Sequence, residues 1–238
     1  MKGFYINFLL GSGIIMVKKA LAEVIGTFAL VFIGTSAIAL DSGNTGLLVI
    51  GLAFGLTVMS MAFSVGTVSG AHLNPAVSLA MFINKRLDAK TFGVYVVAQM
   101  AGALIASASL KYVLSAAGKE VVSLGETVLS EGVSVAGGFV IEMLLTFLFV
   151  LVIVTVTGRN GNGQMAGLVI GLTLTAMIFM GGSLTGASLN PARSFGPAIL
   201  MGGAALSQLW LYVVATLVGG ALAALVANYV LGSESAEA

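Results

Sequence analysis

Four stretches of this 238-residue chain, 42–84, 91–110, 160–192 and 194–233, contain no Lys, Arg, Asp or Glu. Uncharged runs of that length are read as spans of a bilayer core, which needs roughly 20 residues per helix. Within hydrocarbon every backbone polar group must be bonded inside the structure, which leaves helices, or closed barrels, as the only options. Six long apolar segments follow, at 18–40, 46–68, 90–114, 134–157, 165–183 and 205–231, and all are read as helices. Composition agrees, since 8% of residues are charged against about 25% in soluble domains. A formal net charge of +1 gives no basic field for nucleic acid. The absence of cysteine excludes disulfides, thiol catalysis and Cys-based metal sites.

Sliding the chain over itself by 116 positions, the distance from Asn74 to Asn190, exposes an internal repeat. Gly-Leu-Ala-Phe-Gly-Leu-Thr at 51–57 lies over Gly-Leu-Val-Ile-Gly-Leu-Thr at 167–173. Ser-Gly-Ala-His-Leu-Asn-Pro-Ala at 69–76 lies over Thr-Gly-Ala-Ser-Leu-Asn-Pro-Ala at 185–192, and the stretch at 23–28 resembles that at 142–147. Three spans per copy is an odd number, so the second copy must sit upside down relative to the first. Inverted repeats of this kind put the functional site of many transport proteins near the membrane midplane. The expected organisation is one domain at 18–238, with halves at about 18–133 and 134–232 and a short tail at 233–238. Residues 1–17 are set apart as an N-terminal extension that need not be structured. Basic residues (Lys2, Lys18, Lys19, Lys85, Arg86, Lys90 and Arg159 on one side, Lys111 and Lys119 on the other) predict both termini in the cytoplasm.

After each Asn-Pro-Ala triplet about eight residues remain, 77–84 and 193–200, before the chain becomes polar or turns. At 1.5 Å per residue that covers about half a bilayer. Proline is tolerated at the first helical position, so Pro75 and Pro191 start two half-helices and Asn74 and Asn190 cap them. Entering from opposite faces, the half-helices would bring their positive ends together at the centre. The Gly- and Ser/Thr-rich backbone before each triplet is permitted only if it lines a wet cavity.

Two such triplets within an inverted repeat resemble the aquaporin, or major intrinsic protein, family over essentially all of 18–231. The resemblance implies an all-α membrane protein, with six transmembrane helices plus two re-entrant half-helices in a right-handed bundle. It also implies a passive channel for water in a homotetramer, needing no cofactor. In this reading the amides of Asn74 and Asn190 both donate to one passing oxygen, with Ala76 and Ala192 completing the triplets. By motif spacing the family's narrow filter maps onto Phe54, Ile178, Ala187 and Arg193. Water-selective relatives usually carry His where this chain has Ile178, so the filter loses a polar wall. The form Arg-Ser-Phe-Gly-Pro at 193–197 and the aromatic Tyr212 resemble water channels, while Val213 departs from their usual Trp. Hydrogen peroxide, ammonia and glycerol therefore stay open as permeants.

Glu23 and Glu142, at matching repeat positions, are read as acceptors that hold the re-entrant loops. The competing reading makes them coupling carboxylates of a proton-driven transporter. His72, the only histidine, is read as a support of the first loop, with pH gating as the alternative. One His without neighbouring carboxylates builds no metal site. No Ser-His, paired-carboxylate or metal constellation supports an enzyme. The expected setting is a microbial plasma membrane.

Overall fold

The computed structural model describes the backbone of residues 2–41 and 46–232 and, within those limits, side chains from residue 13 onward. Residues 42–45, between the first two spans, and the tail at 233–238 lie outside the described residues. The elements are α1 (Lys2–Ala39), α2 (Gly46–Phe63), α3 (Gly66–Ser69), α4 (Pro75–Ile83), α5 (Ala89–Ala116), α6 (Val135–Val156), α7 (Ala166–Thr185), α8 (Pro191–Met201) and α9 (Gly203–Tyr229). Among the described residues there is no strand.

Six of these helical stretches are long and apolar enough to cross a membrane: Gly13–Ala39, Gly46–Phe63, Ala89–Ala116, Val135–Val156, Gly163–Thr185 and Gly203–Tyr229. Large apolar side chains such as Leu48, Val97, Leu172 and Trp210 stand exposed along them, as a lipid-facing surface requires. Two boundaries differ from the sequence expectation. The second span ends at Phe63 rather than 68, because the chain turns there and forms α3 on its way into the re-entrant loop. Helical backbone also runs back to Lys2, through the stretch set apart as an extension.

Local chemistry explains where the helices start. Asp88 accepts from the backbone N–H of Thr91 at 3.0 Å and Ser134 from that of Gly137 at 3.1 Å, so each satisfies a donor that the helix itself leaves free. The spans then pack in symmetry-related pairs, α1 on α5, α6 on α9 and α2 on α7. Gly102 faces Val24 O of α1, and Gly219, 117 residues later, faces Met143 O of α6. Gly55 and Gly171 face each other's carbonyls across α2 and α7. A Cβ at any of these four would sit under 3.0 Å from backbone, so glycine is what lets the helices meet this closely.

Candidate functional site: a cavity between two re-entrant loops

The half-helices α4 and α8 are 9 and 11 residues long, about 14 and 16 Å, and neither crosses a bilayer alone. They meet N-terminus to N-terminus. Asn74 Oδ1 accepts from Ala76 N at 2.9 Å, and Asn190 Oδ1 accepts from Ala192 N at 2.9 Å and Arg193 N at 3.3 Å. The amide nitrogens cross over: Asn74 Nδ2 donates to Leu189 O and Asn190 Nδ2 to Leu73 O, each at 2.8 Å. The expectation that both amides donate to one passing oxygen needs one N–H from each. One N–H of each is committed to tying the halves together, and one of each remains.

Irregular backbone at this depth carries strain. Ala71, Leu73, Ala187 and Leu189 have φ of 48°, 52°, 45° and 53°, the left-handed region that costs a non-glycine residue about 1–2 kcal/mol. Both loops are held by the same device. Glu23 Oε1 accepts from Ser69 Oγ (2.7 Å) and His72 N (2.9 Å), and Oε2 from Leu73 N (2.7 Å) and Gln99 Nε2 (2.8 Å). Glu142 Oε1 accepts from Thr185 Oγ1 (2.6 Å) and Ser188 N (2.9 Å), and Oε2 from Leu189 N (3.0 Å). Tyr95 and Tyr212 complete the match, donating to Ser69 O at 2.6 Å and Thr185 O at 2.8 Å. His72 lies edge-on to Tyr95 at 5.1 Å, with Nδ1 3.1 Å from Ser78 Oγ.

These loops line a cavity of about 400 Å³ that runs from Lys19 and Arg86 at one mouth, past Asn74 and Asn190, to Arg193. Arg86 is fixed at that mouth by Val154 O (3.1 Å), Thr157 O (2.9 Å) and Thr157 Oγ1 (2.8 Å), bracing α4 against the end of α6. Its partial burial pulls the guanidinium below its ordinary pKa. A second cavity of about 200 Å³ lies on the other side, and Phe54, Ile178 and Ala187 line both. The residues that spacing assigned to a filter thus surround the neck between the two cavities. Arg193 stands beside them, 1% exposed, with Cζ 5.1 Å from the Phe54 ring centroid and Nη1 donating to Gly125 O at 2.6 Å. Its Nε and Nη2 have no hydrogen-bond partner among the described residues.

The supporting role of several of these residues escaped the sequence reading. Ser69 with Thr185 and Ser78 with Ser194 are 116 apart, and Tyr95 and Tyr212 are 117 apart. Searching the repeat for shared polar positions would have found them. Gly125 and Thr127, whose hydroxyl lies 2.8 Å from Ser194 Oγ, carry no such signal because the connection at 117–134 has no counterpart in the other half.

Six spans, two re-entrant loops and a cavity passing between capped half-helices define a multi-pass membrane protein built around a transmembrane path. The sequence model of the major intrinsic protein family matches residues 12–227, and the chain belongs to that family, whose members are channels rather than enzymes. It is 49% identical over 218 residues to glycerol uptake facilitator protein-like 6 of Lactiplantibacillus plantarum, covering 91% of this chain and 99% of the relative. It is 40% identical over 215 residues to aquaporin Z of Rhodopseudomonas palustris, covering 86% and 90%. The X-ray structure of the aquaglyceroporin from Plasmodium falciparum superposes with a TM-score of 0.82 at 27% identity, covering 91% of this chain and 97% of that one.

Proposed function

We propose that the chain is a passive channel that conducts water along osmotic gradients, excludes ions and protons, and also passes small neutral solutes. The observation that carries this reading is the meeting of Asn74 and Asn190 in the cavity wall, each capping a half-helix and each with one amide N–H to spare. Two N–H donors and two positive helix ends hold a permeating water as an acceptor from both sides. A water so held cannot continue a chain of proton-relaying waters, and a cation meets like charge. Arg193 adds Nε and Nη2 as donors at the filter, while Phe54, Ile178 and Ala187 supply an apolar wall.

That apolar wall favours a second permeant class beside water. A filter with donors on one side and hydrocarbon on the other suits glycerol, and one relative is named a glycerol uptake facilitator-like protein. Proton-coupled transport is disfavoured at Glu23, whose four acceptor sites are all filled, so protonating it would displace a donor, and Glu142 spends three of its four sites on the second loop. The reading extends to both termini in the cytoplasm, supported by the distribution of basic residues, and, by the family likeness alone, to a homotetramer in the plasma membrane.

Stopped-flow light scattering on reconstituted vesicles tests it. Sucrose gradients should give osmotic shrinkage well above that of empty vesicles, and glycerol gradients a measurable re-swelling. Shrinkage no faster than in empty vesicles would remove the water-channel reading. Ile178→His is expected to narrow the neck and lower glycerol permeability by about tenfold, a barrier change of about 1.4 kcal/mol, with water permeability largely kept. Unchanged solute permeability would argue against Ile178 as a filter wall.

A further inference from the structure

We propose that Gly34 of α1 is the positioning residue that sets the width of the filter, by seating the Phe54 ring. The proposal rests on the reading of Phe54 as a filter wall. A Cβ built at Gly34 falls under 3.0 Å from Phe54 Cε1, Cδ1 and Cζ at once, so one face of the ring lies directly against the α1 backbone. On the pore side the ring faces the Arg193 guanidinium, and the ring itself is 3% exposed within the apolar cluster that includes Leu30, Ile178 and Ala187. Any volume added at position 34 therefore drives the ring towards Arg193 and Ile178, into the neck.

The next residue of α1 fixes the opposite wall. Arg193 is held by Gly125 O, and a Cβ at Gly125 would fall under 3.0 Å from Thr35 O, Cβ and Cα. Gly34 and Thr35 thus set the distance between Phe54 and Arg193 from one turn of one helix. The other half of the repeat shows the same two positions filled differently. Under the offset that pairs Glu23 with Glu142, Gly34 corresponds to Ile153, and under the 116-residue offset Phe54 corresponds to Ile170. Both isoleucines line the inner cavity. The second half thus carries an isoleucine at each of the two positions where the first half pairs a glycine with an aromatic ring.

A methyl group needs about 3.5–4 Å from an aromatic carbon, so Gly34→Ala must move the ring by about 1 Å or more. Phe54→Ala removes the moved part. The test measures water and glycerol permeability of vesicles carrying the full-length wild type, Gly34→Ala, Phe54→Ala and the double variant. Gly34→Ala is expected to lower water permeability by about tenfold and glycerol permeability by more. Phe54→Ala should raise glycerol permeability, and the double variant should match Phe54→Ala. A loss of permeability from Gly34→Ala that persists in the Phe54→Ala background would mark a packing defect of α1 and overturn the proposal, as would wild-type behaviour of Gly34→Ala. If Gly34→Ala alone does not assemble, the double variant decides: assembly and conduction like Phe54→Ala support the seat, and failure to assemble overturns it. If Phe54→Ala leaves both permeabilities unchanged, the filter reading of Phe54 fails, and the seat proposal falls with it.

Discussion

Glu23→Ala is expected to prevent assembly of the folded channel rather than slow conduction through it. The carboxylate receives four hydrogen bonds, two of them from the backbone N–H groups of His72 and Leu73, which have no helix or sheet to turn to. An orphaned buried donor costs about 1–3 kcal/mol, so the two backbone groups alone remove about 2–6 kcal/mol before Ser69 and Gln99 are considered. The loop they belong to already holds Ala71 and Leu73 in left-handed geometry, and without the carboxylate only the bonds from Tyr95 to Ser69 O and from Asn190 to Leu73 O remain against that strain. Glu142→Ala should fail in the same way, less severely, having three donors to abandon. Glu23→Gln keeps the shape but turns one acceptor into a donor facing donors, and should fall between wild type and Glu23→Ala. Recovery of monodisperse protein in detergent and the midpoint of its thermal aggregation measure all three. A Glu23→Ala protein with wild-type midpoint and wild-type water permeability would remove the loop-support role. The coupling-carboxylate alternative predicts something different: a stable Glu23→Gln protein whose only defect is lost gradient-driven uptake.

The spans and the half-helices were legible because their signals are local and repeated. A charge-free run states its own environment, and Asn-Pro at 74–75 and at 190–191 states a cap followed by a first helical turn. Glu23 and Glu142 could be noticed because a carboxylate in an apolar helix demands donors, although the sequence could not say which. What stayed illegible depends on contacts made only in three dimensions. The commitment of one amide N–H of each Asn to the opposite loop's carbonyl requires knowing that Leu73 O and Leu189 O face across the midplane. Gly34 looked like any other small residue in a span, since nothing in its neighbourhood along the chain mentions Phe54 twenty positions on. The end of α2 at Phe63 was hidden because the apolar pattern continues to 68 while the backbone leaves the helix to form the loop. Gly125, which holds Arg193, sits in a connection that reads only as polar.

Arg193→Val is expected to raise cation and proton leak by about a hundredfold while leaving water conduction of the same order. Arg193 is the only charged residue between Asn160 and Ser233, and it stands 1% exposed beside the neck. A monovalent cation passing about 5 Å from the guanidinium, at an effective dielectric constant of about 20, is repelled by about 3 kcal/mol, which is roughly a hundredfold in rate. The half-helix N-termini remain in the variant, so exclusion should weaken rather than vanish, since each end carries about half a unit charge at the midplane. Size is the rival explanation, because Val also opens space beside Phe54. Arg193→Lys separates the two: it keeps the charge but cannot reproduce the guanidinium fork that holds Gly125 O while leaving Nε and Nη2 free. If charge sets the barrier, vesicles with an internal pH-sensitive dye should show Arg193→Lys leaking far less than Arg193→Val. Equal leaks from the two would assign exclusion to the shape of the neck and to the helix ends, and the guanidinium would be left with the role of hydrogen-bond donor to the permeant.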